Sequence, residues 1–166
     1  GHLGRVDDAV KVLDRALETF GIIGIEATGL SQRVTAATRA GTNCWRGDLP
    51  AAWADTETAL HSAVSEFQIS AANYASTGLH ILAGRPSKAL PLMERAIEWY
   101  GRTTGGSTEY RWMLARLALV HANAGNPDLA ERALVEFDAD DSPGIVFDQE
   151  AEVARARVAL LRGFPE

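Results

Sequence analysis

The chain is short of most features that would mark a chemical activity. Its 166 residues include one cysteine, Cys44. No internal disulfide can therefore form, which suits a reducing compartment such as the cytoplasm. No apolar run approaches the roughly 18 residues needed to cross a bilayer. Basic residues are outnumbered: 16 Lys and Arg against 22 Asp and Glu give a net charge of -6, a poor match for a phosphate backbone. No segment alternates apolar and polar residues as a half-buried strand would. There is no nucleophile–base arrangement and no Gly-x-Ser-x-Gly elbow. The four histidines (His2, His61, His80, His121) lack metal-ligand spacing. The chain is therefore read as non-catalytic, with no cofactor, no metal, no direct nucleic-acid contact and no membrane partner. What it does have is ample core-forming material, with 46% apolar and 23% charged residues, enough for one globular domain.

Two loops carry polar residues that need weighing. The stretch Gly101 to Thr108 has glycines and hydroxyls but no lysine after Gly106, where Ser107 stands, so it reads as a connecting loop rather than a phosphate cradle. The acids Asp138, Asp140, Asp141 and Asp148 fail the calcium-loop spacing, since position six is Pro143 and position twelve is Gln149. They read as a solvated linker. Cys44 has no catalytic context and reads as a small core residue.

The informative signal is recurrence. Gly4, Gly47, Gly84, Gly125 and Gly163 lie 43, 37, 41 and 38 positions apart, within the range of stacked helical repeats. Pro50, Pro86, Pro127 and Pro165 follow the last four within three residues. Glycine closes one helix in the left-handed conformation and proline opens the next, where its missing N–H is no loss. An alanine then stands five residues after the glycine, at Ala9, Ala52, Ala89 and Ala130. Ala16, Ala59, Ala96 or Phe137 follows seven further on. Seven residues are about two helical turns, so both positions share a face, and a small side chain there lets helices approach closely.

Taken in order, this predicts about eight helices in four hairpins. The segments are Val6 to Phe20, closed by a turn at 21–24; roughly Glu26 to Gly41, weakened by Gly29, with its end running on into Cys44-Trp45-Arg46-Gly47; Pro50 to about Ala63; Ser65 to Ala83; Pro86 to Tyr100, with Pro91 giving a mild kink at most; Glu109 to Ala124; Pro127 to Asp138; and Ile145 or Phe147 to Arg162. The chain would open on the second helix of a hairpin and stop at Gly163-Phe-Pro-Glu166, where another should begin. Neither end reads as the polar cap a solenoid needs. The expectation is a single repeat domain, residues 1–166, that is a fragment of a longer multidomain chain.

The run Leu114-x2-Leu117-Ala118-x2-His121-x3-Gly125-x4-Ala130-x6-Phe137 resembles the tetratricopeptide repeat, and His80 precedes Gly84 by the same four residues. These repeats exceed the family's usual length and mostly lack its large aromatic. In that respect, and in the run Ala-Gly-Arg-Pro-Ser-Lys-Ala-Leu-Pro-Leu-Met-Glu-Arg-Ala at 83–96, they look like the helical repeats of MalT-like, LuxR-type bacterial transcriptional regulators. The resemblance implies an all-α, right-handed solenoid of tetratricopeptide-like hairpins. It also implies a parent chain with an NTPase upstream and a DNA-binding helix-turn-helix downstream. The implied role is a cytoplasmic ligand-sensing or interaction segment, binding a peptide, partner domain or small inducer in a concave groove. The alternative is a stand-alone scaffold or adaptor for protein–protein interaction.

In such a solenoid the first helix of each hairpin lines the groove. Counting back from each glycine, the inner face would include Thr38, Trp45, Tyr74, Trp112, Arg116, Asn123 and Arg157. Trp, Tyr and Arg are the types that dominate binding energetics. The aromatics can equally be core residues, and Arg116 and Arg157 can equally pair with nearby glutamates.

Overall fold

A computed structural model describes residues 5–22, 30–62, 66–104, 108–140 and 148–163. Among these the chain is entirely helical. Eight helices run in order: α1 (Val6–Ile22), α2 (Leu30–Arg46), α3 (Leu49–Ser62), α4 (Glu66–Leu82), α5 (Pro86–Thr104), α6 (Thr108–Asn123), α7 (Pro127–Ala139) and α8 (Asp148–Leu161). None is long and apolar enough to cross a membrane. The expected turn at 21–24 and the expected start of α2 at Glu26 fall largely on residues 23–29, outside the described residues.

Four of the five glycines take the conformation the spacing predicts, and Gly4 lies outside the described residues. Gly47, Gly84, Gly125 and Gly163 all take positive φ, and every other described residue with a side chain stays at negative φ. Two hydrogen bonds close each of three corners. The glycine N–H donates to the carbonyl three residues back, on Cys44, Ile81 or Ala122, at 3.0, 3.0 and 3.2 Å. The next N–H, of Asp48, Arg85 or Asn126, donates to Asn43, His80 or His121 at 3.0, 2.8 and 2.9 Å. This pairing satisfies carbonyls that the end of the helix would otherwise leave open. Asp48 also caps the following helix, accepting from the N–H of Ala51 at 3.2 Å.

The alanines pack as their positions require. Ala52, Ala89 and Ala130, five residues after a corner, are completely buried, and Ala59, Ala96 and Phe137, twelve after it, are buried too, whereas Ala9 and Ala16 of α1 are only half-buried. The described chain divides into two compact units, Gly1–Leu79 and His80–Glu166. In the first, α1 packs on α2 and α2 on α3, and Ala36, Ala59 and Ala72 join α2, α3 and α4 in one small-residue cluster. In the second, α6 is central and touches α5, α7 and α8. Leu114, Ala115, Ala118, Ala133, Leu134, Phe137, Ala151 and Ala154 form its core, with Ile97 of α5 packed against them.

The loop expected over Gly101 to Thr108 is shorter than that. Helix α5 continues past Pro91 and Gly101 to Thr104, leaving 105–107 outside the described residues. A helical glycine loses only about 1 kcal/mol against alanine. Here it has a steric use, because a Cβ on Gly101 would lie 3.3 Å from the ring of Tyr110.

Two glycines of the first unit offer a test of the corner. Gly47 has φ of 81°, whereas Gly41 is helical, and neither has an atom within 4 Å of an added Cβ. Gly47→Ala is expected to destabilise by about 1–2 kcal/mol through backbone strain alone. Gly41→Ala should stabilise by about 0.5–1 kcal/mol. Urea denaturation followed by far-ultraviolet circular dichroism reads both. Equal shifts would mean that the corner conformation carries no strain.

Candidate functional site

Four of the expected groove residues lie on α6 and α8 of the second unit, which pack side by side. Trp112, Arg116 and Asn123, with Leu119 between them, follow helical spacing down one face of α6. All four are half-buried. Counting from the corners Gly125 and Gly163, the α8 residues Glu150, Arg157 and Leu161 occupy the positions of Trp112, Leu119 and Asn123.

The two arginines take different roles. Arg116 donates from Nε to Glu150 Oε2 at 2.6 Å, and its Nη2 bonds the other carboxylate oxygen. The pair is mostly buried, with side-chain exposures of 13% and 21%. A two-point guanidinium–carboxylate pair of this kind fixes orientation as well as charge, and it clamps α6 to α8. Arg157 is exposed and has no charged or hydrogen-bonding partner among the described residues. Of the two cations, only Arg157 is open to a ligand. Asn123 spends its amide on its own helix, donating to the Leu119 carbonyl at 2.9 Å.

The remaining expected residues belong to the first unit. Trp45 lies in the last turn of α2, and its side chain is outside the described ones. Tyr74 is half-buried on α4, and its carbonyl accepts the Thr77 hydroxyl at 2.6 Å. Thr38 is exposed on α2, and its carbonyl accepts the Thr42 hydroxyl at 2.9 Å.

Several polar arrangements have no counterpart in the sequence reading. Arg39 of α2 bonds Asp55 of α3, Nε to Oδ2 at 2.9 Å and Nη2 to Oδ1, and reaches Asp14 of α1 at 2.6 Å. Asn43 donates to the same Asp55 at 3.0 Å. These side chains tie three helices of the first unit around a buried carboxylate. The hydrogen bonds to Asp55, then Asp14, raise the Arg39 pKa against the opposing effect of burial. In the second unit Arg111 lies over the Phe137 ring, 3.7 Å from its centre, and donates to the Phe137 carbonyl at 2.7 Å and to that of Asp140. It thereby closes the C-terminus of α7. Asp138, expected in a solvated linker, pairs with Arg155. No cluster of three or more potential metal ligands occurs among the described residues.

His80 and His121 hold equivalent places, four residues before a corner glycine, as the spacing implies. Both have pKa values below the ordinary imidazole range. Burial is the main cause at each, opposed at His121 by Glu94 and reinforced at His80 by Lys88 and Arg85. His121 Nδ1 is buried without a hydrogen-bond partner. Burial thus favours the neutral imidazole at both positions. Tyr110, whose hydroxyl donates to Glu136, has its pKa pushed up to about 12, first by burial and then by that carboxylate.

No family model matches the chain, and no curated protein or solved structure is significantly similar to it.

Two measurements separate the roles assigned above. Arg116→Ala strands Glu150 and should lower stability by about 2–3 kcal/mol, whereas Arg157→Ala should stay within about 0.5 kcal/mol of the parent. Urea midpoints compare them directly, and a destabilised Arg157→Ala would show a structural role for that side chain. The histidines predict a pH slope. A depressed folded pKa means that the unfolded chain binds more protons, so stability is complete above the ordinary imidazole value of 6.5 and falls as pH drops through it. Replacing both His80 and His121 by Gln should flatten the fall in melting temperature between about pH 7 and pH 5.5. An unchanged slope would assign it to other groups.

Proposed function

We infer that the chain is a non-catalytic binding segment built of tetratricopeptide-like hairpins, and that its ligand lies along the first helices of the repeats. The observation that supports this is the α6–α8 surface. Two first helices lie side by side, with the Arg116–Glu150 pair holding them. The same face keeps Trp112 half-exposed, Arg157 without a charged partner among the described residues and Leu161 open to solvent. An aromatic, a free cation and an apolar edge on a rigid helical platform suit an extended peptide that carries an acidic and an apolar side chain. The fixed helix positions would lower the cost of ordering such a ligand.

In the regulator context that the sequence resembles, the segment would sit between a signal-responsive NTPase and a DNA-binding domain in the cytoplasm. Binding at the first helices would favour one packing of neighbouring hairpins over another, a population shift that attached domains could sense. A transmitter of this kind needs no chemistry of its own, in keeping with a sequence devoid of catalytic arrangements.

The test is selection of binding peptides from a displayed random library, followed by affinity measurement against variants. Peptides that occupy this face should lose at least about tenfold in affinity on Arg157→Ala, equivalent to about 1.4 kcal/mol. They should also weaken on Trp112→Ala, with Leu129→Ala on α7 as an unaffected control. Selected peptides that bind both variants as tightly as the parent would place the binding face elsewhere.

A further inference from the structure

The two units fill equivalent interior positions with different chemistry. Eleven and five residues before the corner, α6 has Leu114 and Val120 where α2 has Ala36 and Thr42. Nine residues after it, α5 and α7 have Met93 and Leu134 where α3 has Thr56. All seven side chains are buried, so the contrast is one of composition rather than of coverage. Among the described residues, every buried polar side chain except His121 belongs to the first unit.

Several of these polar side chains do not bridge helices. Thr42, Ser76 and Thr77 donate to carbonyls of their own helices. Asn43 Oδ1 and the Thr56 hydroxyl are buried with no hydrogen-bond partner, and a polar group in that state is less stable than the same group in water. A tie between helices comes from Arg39. From α2 it holds Asp55 of α3 and Asp14 of α1, and Asn43 donates to the same Asp55. Parting α2 from α3 would hydrate two unpaired groups and expose alanine and threonine, at the loss of one ion-pair node. Parting α6 from α7 would put leucine, valine and phenylalanine into water, a far larger apolar exposure.

We propose that the first unit is the moving part of the molecule: α2 and α3 part and reclose with Arg39 as their latch, while the second unit stays folded. Partial opening of this kind is a cooperative event confined to one unit. A ligand that favours the closed or the open first unit shifts the equilibrium between them, so the unit can report binding by its own closure. The inference does not rest on the α6–α8 surface, and its test uses no ligand.

Hydrogen–deuterium exchange of the whole chain, read by mass spectrometry, tests it. Amides in the middle of α2 and α3 should exchange at least about tenfold faster than those in the middle of α6 and α7. Thr56→Val replaces the unpaired hydroxyl by a methyl group of similar size and should slow α2 and α3 by about tenfold. Asp14→Asn removes the outer limb of the latch and should speed them up, with an unchanged circular dichroism spectrum. Neither substitution should alter exchange in α6 and α7. A parent whose four helices exchange together, in one global opening, overturns the proposal. So does a Thr56→Val chain in which α2 and α3 exchange as fast as in the parent, or in which α6 and α7 slow by the same factor. An Asp14→Asn chain with unchanged rates overturns the role of Arg39 as the latch.

Discussion

Every hairpin here depends on closing a helix end within two residues. A chain that reverses so sharply leaves carbonyls without intrahelical donors, and buried carbonyls left open would cost about 1–3 kcal/mol each. The corner meets this by placing one residue at positive φ, which turns two successive N–H groups back onto the helix they have just left. Only glycine takes that conformation without strain. The proline or capping aspartate that follows then starts the next helix where it lies against the previous one. That proximity is why the residue five positions on is alanine in all three covered second helices. A larger side chain there would push the pair apart and uncover the core behind it.

The same geometry gives the position four residues before Gly47, Gly84 and Gly125 a special character. Its carbonyl is committed to the corner and its side chain points inward. Asn43, His80 and His121 all stand there, each polar on an inward-facing side. The two units use the position differently. In the first, Asn43 joins Arg39 and Asp55, and the surrounding interior includes Thr42, Thr56, Ser70, Asn73, Ser76 and Thr77. In the second, His121 sits neutral beside an interior of Leu114, Leu134 and Phe137. An interior of small polar side chains buries less apolar surface, and gains less from water exclusion, than one of leucine and phenylalanine. Thr42, Ser76 and Thr77 turn their hydroxyls onto carbonyls of their own helices rather than across the interior.

The helices and corners were legible in the sequence because their causes are local. A glycine, a proline a few residues on and an alanine at a fixed offset each act through backbone conformation or the nearest helix. Boundaries that depended on contacts made elsewhere were not legible. Helix α5 runs through Gly101 because a ring from α6 lies against it, and nothing near Gly101 announces that ring. The polar ties were hidden for the same reason. Arg39 meets Asp55 and Asp14 across separations of 16 and 25 residues, which no periodicity of one helix can indicate.

The candidate site shows how such long-range contacts give two similar residues different surroundings. From sequence, Arg116 and Arg157 were equivalent: two arginines on the inner faces of first helices. The packing of α6 on α8 sets them apart. It brings Glu150 to Arg116, so that one cation becomes a strut and its charge is spent within the protein. The strut in turn ties the two helices together, and the other cation is exposed with no charged partner among the described residues. The different standing of the two arginines is thus a consequence of the ion pair, and it is specified by which charges the fold pairs rather than by any motif that contains them.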